Sequence, residues 1–328
     1  MVVWFGEKTD KGDGKKTVYD KKSMGMPEKT RSLLAGYGVA LGATALWSGN
    51  FIVARGLNDL IPPISLAFYR WLTAVVVFAP FAIQGFAKDW PRVQPHIGYM
   101  AVTAFIGVTC FNTFIYIAGH TTTAMNLSLI AITFPVFVVL ISRVLFKEVL
   151  TGKRAVGIGV VLTGVVCLIT RGEVARLLAI RFVAGDLWML ASAVLFAVFS
   201  ILIKHKPDGI RLYTFQFTLF VMGLIFLLPF FIWEQIRMPG LYLNRSTLPA
   251  VLYVGVFASL CAFLLWNRAI ITLGPSRAGM IYYTLPLFSG LLAYLFLGEH
   301  IGLVHAVSAV LILSGIVLAN QTPQVVKK

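Results

Sequence analysis

The sequence predicts an all-α integral membrane protein: ten transmembrane helices arranged as two inverted five-helix repeats. Three observations predict it. Hydrophobic residues make up 58% of the 328 and charged residues only 12%, about half the charged share of an ordinary soluble domain. The apolar residues are gathered into ten runs separated by short polar breaks. A phrase, Thr-x-Pro-x-Phe followed by a glutamate, occurs twice in one frame: Thr133, Pro135, Phe137, Glu148, and Thr284, Pro286, Phe288, Glu299.

A helix needs about 20 apolar residues to cross the hydrocarbon core. The runs lie near 34–55, 64–84, 97–118, 122–146, 155–170, 185–203, 213–233, 248–268, 276–297 and 302–320. "NDLIPP", "KDWPRVQP", "KPDG" and "LGPS" carry the proline, glycine and charge that end helices. The fifth run is the shortest and suits a helix with little tilt, or one at the bundle edge. The first repeat is 34–170 and the second 185–320. Residues 1–33 form a basic tail, rich in lysine and glycine, whose composition predicts disorder. No apolar segment in it precedes a cleavage site, so it is not a secretory signal. Residues 321–328 form a second short tail.

The net charge of +15 orients the chain. With the tail in the cytoplasm and ten crossings, 21 of the 28 lysines and arginines fall inside and 6 outside, with Arg70 within a run. That bias predicts both termini in the cytoplasm, in a multi-pass protein of the inner or plasma membrane. The basic residues sit between apolar runs, so they point to the lipid bilayer and away from nucleic acid. Arg171, Arg176 and Arg181 run against the bias. Cys110, Cys167 and Cys261 lie in apolar runs and suggest neither a disulfide framework nor a metal cluster.

The second copy of the phrase lies 151 positions after the first. The same offset pairs Cys110 with Cys261, Thr121 with Thr272, Leu140 with Leu291 and Gly164 with Gly315. A repeat of five crossings puts its second copy upside down in the membrane. "KEVLTGKR" follows the first phrase and "GEHIGLVH" the second, which has lost every lysine and arginine, as a move to the outer face requires. Inverted repeats of this kind place a solute site at mid-membrane between the halves. Pro135 and Pro286 fall near mid-depth and predict helix kinks that free the carbonyls of Ala131 and Tyr282.

"LWSGNFIVARG" (46–56), "PPISLAFYRW" (62–71), "LLWNRAI" (264–270) and the twin proline–glutamate helices resemble the EamA-type branch of the drug/metabolite transporter superfamily. The resemblance covers 34–320. It implies a ten-helix inverted-repeat carrier, commonly an exporter of amino acids or other small metabolites. The second copy departs at its start, where "LFAVFSILIKH" lacks the tryptophan and asparagine of the first and Phe217 stands where Arg70 would fall. The halves therefore line a cavity unequally.

The substrate-site candidates are the polar and aromatic side chains deep in the runs. Trp47, Asn50 and Ala54 share a helical face. Asn50 needs a hydrogen-bonding partner at that depth, either a ligand or a neighbouring helix. Arg70 either snorkels to the interface or offers its planar fork to a carboxylate or phosphate. Asn112 and Tyr116 form an i, i+4 pair. Gln216, Trp266, Asn267, Tyr282 and Tyr283 complete the set, with Asn126 and Thr133 as weaker members. Each alone is as well explained by interhelical packing. Together they describe an amphipathic, aromatic-lined cavity for a small organic molecule.

All 13 acidic residues lie in tails, loops or helix ends, so no mid-membrane carboxylate relay is visible. His300 and His305 lack companion ligands for a metal. No phosphate-binding loop and no Ser–His or Cys–His constellation appears, which argues against an enzyme and against a cofactor. A receptor, an enzyme, or a channel or scramblase on the same scaffold is the alternative to a secondary carrier. Composition leaves the oligomeric state open.

Overall fold

The computed structural model describes residues 28–57, 60–122, 124–147, 150–179, 181–240, 242–297 and 302–321. Within helices it excludes the side chains of 28–29, 50–57, 124–126, 128, 146, 174, 293 and 296–297. Asn50, Ala54 and Asn126 therefore lie outside the described side chains, and Glu148, Glu299 and His300 outside the described residues. Every regular element among the described residues is helical.

The chain begins with α1 (Glu28–Leu57) and α2 (Pro63–Val93). A 3-10 turn at Gln94–His96 leads into α3 (Ile97–Ala104), a π-helical stretch at Phe105–Cys110, and α4 (Phe111–Gly119). Next come α5 (Ala124–Ala131), α6 (Phe134–Phe146), α7 (Gly152–Thr170) and the short α8 (Val174–Leu178). The second half opens with α9 (Ala184–Lys204) and α10 (Leu212–Arg237). Then α11 (Leu248–Leu252) runs through a second π-helical stretch, Tyr253–Cys261, into α12 (Ala262–Leu273). It closes with α13 (Pro275–Tyr282), α14 (Leu285–Leu297) and α15 (Leu303–Asn320). Among the described residues, six helical stretches are long and apolar enough to cross a membrane. One of them, Pro63–Gly119, has 57 residues and folds back on itself, since Arg70 of α2 bonds Tyr116 of α4.

Several boundaries differ from the sequence expectation. The last residues of the tail, 28–33, belong to α1; residues 1–27 lie outside the described region. The fifth run is a full 19-residue helix, because the Thr151 side chain accepts from the backbone N–H of Arg154 (3.3 Å) and caps the first turn. The segment "KDWPRVQP" does not end α2 at 84. The helix continues to Val93 with Pro91 inside its last turn. The buried Asp89 carboxylate holds that turn by accepting from Arg211 (2.8 Å) and Thr214 (2.8 Å) of α10. Neither Pro135 nor Pro286 kinks a continuous helix. Each sits in the first turn of a new helix after a two-residue break, where the missing N–H leaves no bond unmade. Among the arginines at 171–181, Arg176 forks onto Glu173 (2.8 and 3.0 Å). That bond holds the exposed Glu173 carboxyl below its usual range.

The 151-residue offset reappears in the architecture. Shifted by it, α5 falls on α13, α6 on α14, and the π-helical stretch before α4 on the one before α12. Equivalent helices pair antiparallel. Gly157 of α7 lies against Gly315 and Ala319 of α15, and Gly164 against Leu311 and Ile312. Ser65 of α2 meets Glu234 of α10, while Gly85 meets Arg211. Each repeat's first helix packs on the other's third: α1 on α12 through Trp47 and Phe263, α9 on α4 through Phe196 and Phe111.

The α7–α15 seam depends on glycine. A Cβ at Gly315 would lie 2.8 Å from the Gly157 carbonyl oxygen and 2.8 Å from the Val161 nitrogen, backbone atoms that cannot swing aside. Gly315→Val is expected to cost roughly 1–3 kcal/mol by overpacking and to lower the melting temperature of the detergent-solubilised protein. Gly38→Ala, where a Cβ meets nothing within 4 Å, leaves it unchanged or raises it.

Candidate functional site

The centre of the bundle is built on the second π-helical stretch. A π turn widens the backbone and releases carbonyls from the usual ladder. The Ala258 oxygen accepts from the Trp47 indole Nε1 (2.9 Å) and from Arg70 Nη2 (2.9 Å). One carbonyl of the second repeat thus anchors two helices of the first. Arg70 is buried. Its Nε donates to Ser259 Oγ and its Nη1 to Tyr116 Oη (2.9 Å), and its guanidinium lies 5.3 Å from the Trp71 ring centroid. The Ser259 hydroxyl in turn donates to the Val254 carbonyl (2.7 Å). Arg70 therefore does not snorkel. No carboxylate among the described residues forms an ion pair with it. A guanidinium carries five N–H bonds, so Nη1 and Nη2 each retain one.

Trp47, Arg70, Phe111, Asn112, Ile115, Phe196 and Tyr282 surround a small cavity of about 20 Å³, room for little more than one water. Phe196 of α9 is its hub, stacked on Phe111 (4.4 Å) and edge-on to Trp47 (5.4 Å). Trp266 leans on Trp47 at 5.3 Å, and Phe134 meets Tyr282 at 4.9 Å. The buried Asn112 Nδ2 finds no partner. The cavity therefore presents hydrogen-bond donors, a positive charge and aromatic walls.

Of the residues singled out from sequence, Trp47, Arg70, Asn112 and Tyr282 line this cavity, while Tyr116 and Trp266 buttress it. Gln216 and Asn267 do not line it. They bond to each other inside the second repeat, leaving Gln216 Nε2 and Asn267 Oδ1 without partners. Tyr283 is fully buried within the break itself, also outside the lining, and its hydroxyl is unpartnered. Thr133 serves the helix break: its hydroxyl donates to the Ile130 carbonyl (2.6 Å), as Thr284 does to Ile281 (2.8 Å). Phe111, Phe196 and Ser259 were hidden in the sequence because they sit in apolar runs. The only available signal for Phe196 was its place in "LFAVFS", where the first copy has "LWSGNF".

A second cavity, about 240 Å³, lies next to the first and shares Tyr282 with it. It runs between the end of α5 (Ala131, with Ile132 of the break) and α14 (Leu285, Pro286, Ser289, Gly290), and Arg171 and His305 stand at its mouth. Tyr282 is thus the wall shared by a small central cavity and a larger cleft. At the other end of the bundle the equivalent helices, α13 and α6, are packed: a Cβ at Gly279 would sit 3.6 Å from Pro135.

A helical membrane protein with a charged, aromatic-walled cavity at the seam between two repeats belongs to the class of membrane transporters. This chain is a member of the EamA-like transporter family, whose model matches residues 34–170 and again 183–321. It is 28% identical over 283 residues to an uncharacterized transporter of Archaeoglobus fulgidus, covering 84% of this chain and 93% of that one. It is 24% identical over 291 residues to the uncharacterized transporter YyaM of Bacillus subtilis, covering 88% and 92%. A crystal structure at 21% identity shares the fold, with a TM-score of 0.68 over 88% of this chain and 96% of the other.

Lysine cannot reach Tyr116, Ser259 and the Ala258 carbonyl at once. Arg70→Lys is expected to leave at least one buried polar group unpaired and to cost roughly 1–3 kcal/mol, read as a lower melting temperature in detergent. An unchanged melting temperature would remove Arg70 from the centre of this network.

Proposed function

We propose that the protein is a secondary carrier that moves a small organic solute bearing a carboxylate across the inner or plasma membrane by alternating access. In this reading ten helices cross the bilayer as two inverted five-helix repeats with both termini in the cytoplasm, and net movement is outward. The first five crossings are α1, α2, α3–α4, α5–α6 and α7, and the second five are α9, α10, α11–α12, α13–α14 and α15.

One observation carries the reading. The pairs α6–α13 and α14–α5 are equivalent under the internal duplication, yet the first is packed and the second is parted by the 240 Å³ cleft. Two related contacts in opposite states are what a carrier needs, because exchanging them moves the opening from one mouth to the other. With the tail inside, the open cleft faces outward and the packed contact seals the cytoplasmic side. The collapsed central cavity is then the empty site. A carboxylate takes the two spare N–H bonds of Arg70 and the Asn112 amide, and the solute's apolar part lies between Trp47, Phe196 and Tyr282. Tyr282 swings to admit it.

Flux in proteoliposomes tests this. Labelled amino acids and organic acids are expected to show saturable transport, while decarboxylated analogues of the same solute are not carried. Tyr282→Ala and Asn112→Ala are expected to lower that flux tenfold or more, about 1.4 kcal/mol each, with membrane levels unchanged. Equal flux for acid and decarboxylated analogue would refute the carboxylate assignment, and no saturable flux across a broad panel would refute the carrier.

A further inference from the structure

A third cavity is separate from the two above. A groove of about 380 Å³ lies between α1 and α12 at the opposite end of the bundle from Arg171 and His305. Arg31, Ser32, Ala35, Gly36 and Val39 form one wall, a single face of α1, and Arg268 and Thr272 form the other, one turn apart on α12. Both arginines are exposed, and among the described residues neither guanidinium makes a hydrogen bond or ion pair; the Arg268 carbonyl accepts from the Thr272 hydroxyl (2.9 Å). Nothing in the transport reading uses them. Gly36 lets α12 approach closely, since a Cβ there would fall 2.8 Å from Leu273 Cδ2. The groove is therefore lined by two cations and by the small and apolar side of α1: Arg31 stands toward the start of α1, while the antiparallel register puts Arg268 about level with Val39, from which its long side chain can turn back toward Ser32. Lys204 of α9 adds a third cation at this end, its Nζ bound to the Ile271 carbonyl (3.0 Å) beside Thr272.

We propose that this groove is a binding site for an anionic phospholipid of the inner leaflet. Its phosphate sits between the guanidinium groups of Arg31 and Arg268, within reach of the Ser32 hydroxyl, and one acyl chain lies along Ala35, Gly36 and Val39. The charge pattern selects the ligand. Two forked donors match a phosphodiester, while a free anion would leave the apolar side of α1 exposed. A zwitterionic headgroup brings its own cation to a site that already holds two. The position matches as well, because basic grooves between helix ends on the cytoplasmic side meet the anionic leaflet. Such a lipid ties α1, which carries Trp47, to α12, which carries Trp266. The site belongs to the moving seam between the repeats without touching the solute.

The test uses the purified full-length protein in detergent, titrated with dioleoylphosphatidylglycerol, with dioleoylphosphatidylcholine and with soluble glycerol 3-phosphate, and read by native mass spectrometry and by melting temperature. Phosphatidylglycerol is expected to give retained adducts and a stabilising shift that the other two do not. Arg31→Gln/Arg268→Gln is expected to weaken that binding about 30-fold, the effect of two cations at an anionic surface. Lys88→Gln/Arg143→Gln, which removes two exposed cations elsewhere, leaves it unchanged. Equal binding of both lipids, equal stabilisation by glycerol 3-phosphate, or undiminished binding by the Arg31/Arg268 variant would each overturn the proposal. The inner-leaflet placement rests on the orientation proposed above; flux is not part of the readout, so failure here leaves the carrier reading standing, and a lack of saturable flux leaves the lipid site standing.

Discussion

Inside hydrocarbon, a backbone carbonyl or N–H freed from its helix has no water to turn to, and its partner must come from the protein. The rest of this structure follows from how that requirement is met. The helices are interrupted at equivalent places in the two halves: at the π-helical stretches and at the proline breaks. These interruptions and the helix ends are answered by side chains, some local and some from the other repeat. Thr133 and Thr284 fold their hydroxyls back onto the preceding turn. The carboxylate of Glu234 accepts from the backbone N–H of Ile64 (3.1 Å) and Ser65 (2.6 Å), closing the first turn of α2 from across the repeat boundary. The Ala258 carbonyl accepts two side-chain donors, and through them fixes Arg70 and Trp47 at the centre. The same irregularities that would be costly in a simple bundle create the polar lining here.

The two halves solve one packing problem with different chemistry. Each repeat bridges its second and third long helices with a polar pair near mid-depth. In the first the pair is Arg70 and Tyr116; in the second it is Gln216 and Asn267. The first bridge carries a charge and borders the cavity, whereas the second is neutral and sealed in packing. Phe196 stands in the second copy where Trp47 stands in the first, and the two rings meet at the seam. Pseudo-symmetry gives the scaffold its equivalent helix pairs, and the broken symmetry of the side chains gives the central cavity a single polarity.

Much of this was legible in the sequence, and the failures have physical causes. The apolar runs and the 151-residue offset located the helices because burial in lipid constrains composition and length so tightly. The offset even locates the breaks, which are the same two residues long in both copies. What composition could not reveal was geometry that depends on a distant partner. "KDWPRVQP" reads as a loop, yet Arg211 and Thr214, more than 120 positions away, keep it helical through Asp89. Proline within an apolar run reads as a kink, and only the two residues before it show that the helix has already ended. Phe111 and Phe196 look like any other core phenylalanine until the fold brings them face to face. Gln216, Asn267 and Tyr283 carry the same depth signal as Asn112, and only packing separates a residue that lines a cavity from one that glues helices.

Everything about a carrier with two exchangeable mouths depends on the second half lying upside down relative to the first. Reporter fusions truncated after Gly152 and after Gly302, positions at the starts of α7 and α15, test that orientation directly. The account expects an enzyme active only in the cytoplasm to report at Gly152 and to be silent at Gly302, with a reporter active only outside giving the reverse. Both fusions reporting from the same compartment would contradict it.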